Sequence, residues 1–310
     1  MIIFISQMIV RLPVMMLPRV LWQHIALWLQ GDNAIIHLRA TCRWLRRVEI
    51  HQLPRHMELR ITEERLRSIA SIRRLNLCNN RCINNEILQD VFRVGTSRLV
   101  GTLEWLDVSF TTITWFPSTL RHLDIYRCRN VTNEMLQKCT RLEWLNASYT
   151  NVTWFPSTLH HLSILGCKNV TNEILQDAFQ VGTSRQVGTL EWLDARDTKV
   201  TWFPSTLRLL DIYGCKDVTN EMIQGCTKLE WLDATYTNVT WFPSTLQCLI
   251  IFKRTDVTNA MIQGCTKLEW LNAGYTNVTW FPSTLRKLII CCTDVTDEML
   301  AHLKDCEMIR

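Results

Sequence analysis

The residues best suited to chemistry in this chain are histidines, aspartates and cysteines that recur at fixed intervals. His122 and His161 occupy the same place in two copies of one segment, with Asp124 two residues after the first and Asp211 at the matching place further on. A histidine beside a carboxylate is half of a nucleophile–base arrangement. No Ser, Cys or Glu recurs beside the pair to complete it, and later copies carry Leu209, Cys248 and Lys287 where the histidine stood. The thirteen cysteines raise the possibility of zinc. Cys128, Cys167 and Cys215 share one position of the copies, and Cys139, Cys226, Cys265 and Cys306 close helices, so they form rows and do not converge as four ligands. Small buried apolar groups are the expected role. RVGTSRLVG and QVGTSRQVG lack the Walker lysine context and the Rossmann spacing, so they are expected to be loops extending two helices. No catalytic, metal or cofactor site is expected.

What positions these residues is an internal repeat. WFP begins at Trp115, Trp154, Trp202, Trp241 and Trp280, at intervals of 39, 48, 39 and 39 residues. Each 39 is a short unit of 17, such as LEWLNASYTNVTWFPST, plus a long unit of 22, such as LRHLDIYRCRNVTNEMLQKCTR; the 48 contains a nine-residue insertion. Apolar residues fall at 0, +3 and +5 of both units, as in Leu103, Leu106 and Val108, and the last two have the period of a short strand buried on one face. In long units the residues after Val-Thr have the polar start and apolar spacing of a short helix. In short units Pro117 and its equivalents exclude a helical return, which also argues against an all-helical repeat. Starts at Ile72, Leu103, Leu120, Leu142, Leu159, Leu190, Leu207, Leu229, Leu246, Leu268 and Leu285 make about eleven units. The pattern resembles the leucine-rich repeat, the long units its cysteine-containing subtype and the short ones its general frame with Thr111, Thr150, Thr198, Thr237 or Thr276 where Asn is usual. That resemblance implies an α/β solenoid over residues 72–310.

If the leucines point inward, +2, +4 and +6 face outward onto the concave side. Position +2 of the short units is Trp105, Trp144, Trp192, Trp231 and Trp270, with Asp or Asn at +4. Beside them come Phe110, Tyr149, Asp197, Tyr236 and Tyr275 at +7, and Tyr126, Tyr213 and Phe252 at +6 of long units. Aromatics with interspersed carboxylates and amides suit recognition of a substrate protein, Tyr and Trp being the strongest contributors to interface energy. Alternatively the indoles pack on each other to stabilise the sheet. The second tryptophan row, from Trp115, is expected to shield the convex edge while Phe116 and its equivalents enter the core.

The net charge of +5 is not massed along the repeats, which argues against nucleic acid. Arg11 and Arg19 interrupt the N-terminal apolar run before membrane-spanning length. Without a recognisable signal peptide the cysteines are expected to be reduced and the protein intracellular, cytoplasmic or nuclear.

Ahead of the repeats, residues 1–16 form a tail, 17–50 a helical segment and 51–71 a linker and cap. Leu17, Leu21, Ile25 and Leu29 recur every four residues after Pro18, and Leu38 and Cys42 follow. With Ile35 and Arg43 these residues match the pattern of the F-box, although Val20 stands in place of Glu and Trp44 falls one residue early. An F-box-like segment followed by cysteine-type repeats resembles the F-box leucine-rich-repeat substrate receptors. The resemblance implies that Leu17, Pro18, Leu21, Ile25, Leu29, Leu38 and Cys42 bind a Skp-type adaptor, and through it a cullin, while the concave face holds a substrate protein. The chain would contribute proximity and no nucleophile. The other reading is a non-enzymatic interaction scaffold whose N-terminal helices only cap the solenoid.

Overall fold

The computed structural model describes residues 73–92, 103–179, 189–291, 294–303 and 305–309. The N-terminal tail, the F-box-like segment with all its candidate adaptor-binding residues, and the linker lie outside them, as do the tips of the two nine-residue insertions.

The short strands are β1 (Arg74–Asn76), β2 (Trp105–Asp107), β3 (His122–Asp124), β4 (Trp144–Asn146), β5 (His161–Ser163), β6 (Trp192–Asp194), β7 (Leu209–Asp211), β8 (Trp231–Asp233), β9 (Cys248–Ile250), β10 (Trp270–Asn272), β11 (Lys287–Ile289) and β12 (Glu307–Ile309). All are parallel and stand in sequence order in one sheet. Helices follow only the long strands: α1 (Asn85–Phe92), α2 (Asn133–Leu136), α3 (Asn172–Phe179), α4 (Asn220–Gln224), α5 (Asn259–Ile262) and α6 (Asp297–Leu300). The short units return as extended chain through WFPST, as the proline requires. This is a leucine-rich-repeat-like solenoid with strands on one side and alternating helical and extended returns on the other.

Each strand is three residues long, and in all but β12 a central leucine is buried with the flanking pair turned outward. The leucines at 0 and +3, the Val, Ile or Ala at +5, the phenylalanines of WFP and the apolar residues of the helices form one continuous core. No unit could bury such a face alone, so each depends on its two neighbours. The eight-residue α1 and α3 belong to the units with insertions, in keeping with loops that lengthen a helix. The sheet has one strand more than the eleven units legible in the sequence. Asp305 stands where the first leucine of that unit would be, and all three residues of β12 are exposed.

Polar side chains close each turn. Asp or Asn at +4 accepts the backbone N–H two residues on, as Asp107 does from Ser109 at 2.9 Å and Asp233 from Thr235 at 2.9 Å. The threonines standing in place of Asn donate to the +5 carbonyl, Thr150 to Ala147 at 2.6 Å and Thr237 to Ala234 at 2.8 Å. The cysteines at +8 of long units are more than apolar filler. Their thiols donate to the +5 carbonyl of the preceding unit, Cys128 to Val108 at 3.0 Å and Cys167 to Ala147 at 3.1 Å. Where the fourth long unit has Arg254 instead, its buried guanidinium donates to Ala234 O, Thr237 Oγ1 and Val239 O and pairs with Asp256.

On the opposite face the first residue of each helix reaches the next short unit. Asn172 Oδ1 accepts the Thr201 and Trp202 backbone N–H groups at 2.8 and 3.0 Å while its Nδ2 donates to Thr201 Oγ1 at 2.9 Å. Asn85, Asn133, Asn220 and Asn259 repeat the clamp. Trp115, Trp154 and Trp202 pack on the core beside it, whereas Trp241 and Trp280 are exposed. Asn172→Ala leaves two backbone donors without their acceptor and is expected to cost ~1–3 kcal/mol in chemical denaturation. A loss below a few tenths would show that the clamp contributes nothing net.

Candidate protein-recognition surface

The unshifted register brings every +2 residue into one rank across the concave face: Arg74, Trp105, His122, Trp144, His161, Trp192, Leu209, Trp231, Cys248, Trp270, Lys287 and Glu307. The five predicted indoles do stand on alternate strands. What lies between them differs along the solenoid. In the N-terminal half the gaps are filled by flat rings: His122 stacks on Trp105 with centroids 5.2 Å apart and on Trp144 at 3.8 Å and 5° between planes. Arg74 lies over Trp105 at 5.6 Å, and His161 leans on Trp192 at 6.3 Å. Trp192 is buried, and the other four indoles are half-buried. Packing among neighbours therefore holds for the first half of the row. In the second half Leu209 and Cys248 occupy the gaps, and no aromatic ring stacks on Trp231 or Trp270 among the described residues.

Two further ranks flank the indoles. At +1, short-unit glutamates alternate with long-unit cations, with ion pairs Arg121–Glu143, Arg208–Glu230 at 2.7 Å and Arg286–Glu269 at 3.6 Å. At +4 lies the row of Asx residues, whose acids crowd together. Burial first, and then the neighbouring Asp107, push Asp124 up to about 7. Asp211 is likewise raised by burial, then by Asp194 and Asp233. Arg196 relieves that group: it forks onto Asp194 at 2.8 and 2.7 Å and reaches Asp211 at 3.3 Å. His122 is held well below its ordinary value by burial, then by Arg74 and His161, so it is a neutral stacking ring in this setting.

The tyrosines form a separate edge, where the chain leaves the strands. Phe110 and Tyr126, Tyr126 and Tyr149, Tyr213 and Tyr236, and Phe252 and Tyr275 meet at 5.1 to 5.5 Å. Arg127 lies over Phe110, Tyr126 and Tyr149, and Lys253 lies over Phe252 and Tyr275. Phe110, Tyr213, Tyr236 and Tyr275 are all more than a third exposed. Sequence patterning did not disclose the backbone here. Position +7 is left-handed in unit after unit, with φ of 60° at Phe110, 56° at Tyr149, 55° at Tyr236 and 58° at Tyr275. A bulky residue in that region costs about 1–2 kcal/mol, and glycine would avoid the cost. Glycine takes the position twice, as Gly166 and Gly214, and a Cβ on Gly166 would stand 2.5 Å from a Tyr149 ring carbon. The strained aromatics thus hold an exposed edge that glycine would leave bare.

Among the described residues no group of three His, Cys, Asp or Glu could hold a metal, no helix is long and apolar enough to cross a membrane, and the cysteines are free thiols. His122 and Asp124 fall together as the sequence suggested, but the ring is committed to two indoles and the carboxylate accepts from Ser109 and Asn146.

The raised Asp124 carries a pH signature. Folding lifts its pKa from about 4 to about 7, so the stability it contributes is full below the unfolded value and is lost as pH rises through the folded one. Asp107→Asn removes the second cause of the shift. Urea melts at pH 5 and pH 8 should show the variant gaining stability relative to the parent at pH 8 and little at pH 5; a uniform change at both would show that the two acids are not coupled.

No protein-family model matches the chain, and no curated protein does. Among solved structures, the chain is similar to the crystal structure of an internalin (InlF) from Listeria monocytogenes str. 4b F2365, at 15% identity and a TM-score of 0.49, covering 90% of this chain and 94% of that one. It is also similar to TLR13 in its complex with ssRNA13, at 15% identity and a TM-score of 0.48, covering 80% of this chain and 45% of that one. The assignment of a leucine-rich-repeat-like solenoid rests on the parallel sheet and its 17- and 22-residue units.

Proposed function

We propose that this chain is a protein-interaction scaffold whose concave face, the indole row with its flanking acids and the exposed tyrosine edge, is the ligand-binding surface. The observation that carries it is the edge: exposed Phe110, Tyr236 and Tyr275 are kept in left-handed backbone where glycine would be stable. Their ring area is large, and their entropic cost on binding is small. Partners enriched by the full chain should be lost when Trp144, Trp231, Tyr236 and Tyr275 are changed to Ser, and retained when the exposed convex Trp241 and Trp280 are changed instead. Equal loss from both sets would show that the concave face has no special role.

The adaptor reading supplies a role for such a scaffold within a Skp–cullin ubiquitin ligase. Its support is the apolar row Leu17, Leu21, Ile25 and Leu29 at F-box spacing, immediately before a solenoid of the type that accompanies F-boxes. On this reading the segment binds the adaptor and the concave face holds a substrate for ubiquitin transfer. Leu21→Ala with Ile25→Ala should then abolish co-elution with a Skp-type adaptor and leave thermal unfolding of the repeats unchanged. Absence of a wild-type complex at micromolar concentration, with a lower melting temperature in the double variant, would leave the segment as a cap and the chain as a plain scaffold.

A further inference from the structure

One unit breaks three ranks of the concave face at once. At +1 the long units supply Arg121, His160 and Arg208 between successive glutamates and Arg286 after Glu269, but the β9 unit supplies Gln247, so the +1 rank itself places no cation between Glu230 and Glu269; Lys267, two residues before Glu269, borders the same stretch with Gln247 and Arg286. Those two glutamates lean away, onto Arg208 and Arg286. At +2 the same unit has Cys248 between Trp231 and Trp270, the smallest side chain to occupy a gap between indoles, where His122 fills the corresponding gap between Trp105 and Trp144. At +4 it has Ile250 where Asp124 and Ser163 accept a hydroxyl from the preceding strand's unit. Thr235, which would donate there, is 2% exposed, and its Oγ1 has no hydrogen-bond partner among the described residues.

The molecule therefore shows what this slot lacks. Trp231 and Trp270 stand two strand spacings apart, about 9.5 Å, the same separation in register at which Trp105 and Trp144 take the flat ring of His122 between them. The group missing from the +1 rank here is a cation, Gln247 standing where Arg121 and Arg208 stand in other units. A guanidinium satisfies both requirements, being planar for the indoles and permanently charged for the glutamates. An ammonium is charged but not flat, and a neutral ring is flat but uncharged.

We infer that the gap over Cys248, walled by Trp231 and Trp270 and rimmed by Glu230 and Glu269, is a recognition slot for an arginine side chain of an extended partner segment lying across the concave face. This rests on the concave face being the ligand surface, and it names the residue that surface selects. Gln247 and Cys248 are the specificity positions: Cys248→His fills the slot with the chain's own ring, and Gln247→Arg supplies the chain's own cation. Neither substitution disturbs the leucine core.

The probe is a nine-residue peptide of Gly, Ser and Thr with one central arginine, titrated into the full chain by ligand-observed NMR. Companion peptides carry lysine, citrulline or phenylalanine at the same place. Arginine should bind at least tenfold tighter than each companion, and Cys248→His and Gln247→Arg should each weaken it at least tenfold with an unchanged or raised melting temperature. Equal binding of arginine and citrulline, preference for phenylalanine, unaltered binding by the two variants, or no binding of the arginine peptide would overturn the slot. If partners still depend on the concave Trp and Tyr residues in that event, the scaffold reading stands and only the arginine assignment fails; if they do not, both fail.

Discussion

The whole structure depends on an unslipped parallel register between strands only three residues long. A strand of that length cannot persist by itself, and each is held by backbone bonds to two neighbours and by one central leucine driven into a shared core. A slip of one residue anywhere would send that leucine to the concave face and an indole inward. The 17- and 22-residue units differ in how they return, and they keep the frame of 0, +3 and +5 because every later unit is built on it. The aligned ranks of indoles, acids and aromatics are a consequence of that register.

Alignment also creates the electrostatic problem of the fold. Repeating Asp at +4 closes the turn after each strand by accepting a backbone N–H, and duplicating it sets carboxylates one strand spacing apart in a recessed face. The chain answers locally and differently each time. Asn146 donates to Asp124, Arg196 forks onto Asp194 and reaches Asp211, and at Ser163, Ile250 and Ile289 the acid is replaced. The turn closure and the charge cost are inseparable, which is why the acids keep perturbed titration where no cation has been inserted.

The solenoid, its frame and the outward tryptophans were legible because they follow from spacing alone: Leu106 and Val108, or Leu123 and Ile125, state which face is buried. The twelfth strand was not, since Asp305 breaks the frame and no leucine marks it. Three features of the site were invisible for a common reason. The His122 sandwich, the Arg196–Asp211 ion pair and the Asn172 clamp each join residues of successive units, and contacts between units are absent from a pattern read within one. The left-handed backbone at +7 was hidden differently, because Tyr and Phe there contradict the residue preference that would have announced it. The fixed cysteines did stand in rows, yet their hydrogen bonds to Val108, Ala147 and Ala195 became visible only when Arg254, in the same position, was seen reaching the same carbonyl of its preceding unit.

In a repeat this regular, information resides in the departures. A side chain that recurs in every unit answers a need every unit has, as the leucines, the Asx turn and the asparagine clamp do, and it cannot by itself select one partner along the row. Selection requires a unit that differs, and the difference must be on the exposed ranks while the core frame stays intact. The β9 unit meets that condition: Leu246, Leu249 and Ile251 keep their buried positions, while Gln247, Cys248 and Ile250 change on the outward ones. The Arg254 that follows is consistent with this division. It occupies an inward position, and there the substitution is fully compensated by three backbone or hydroxyl acceptors and Asp256, whereas the outward substitutions leave no ring between the indoles and, among the described residues, no hydrogen-bond partner for the Thr235 hydroxyl, with Glu230 and Glu269 paired to Arg208 and Arg286 instead of to a cation between them. Departures repaired from within maintain the fold; departures left open on an exposed face are where a partner can supply what is missing.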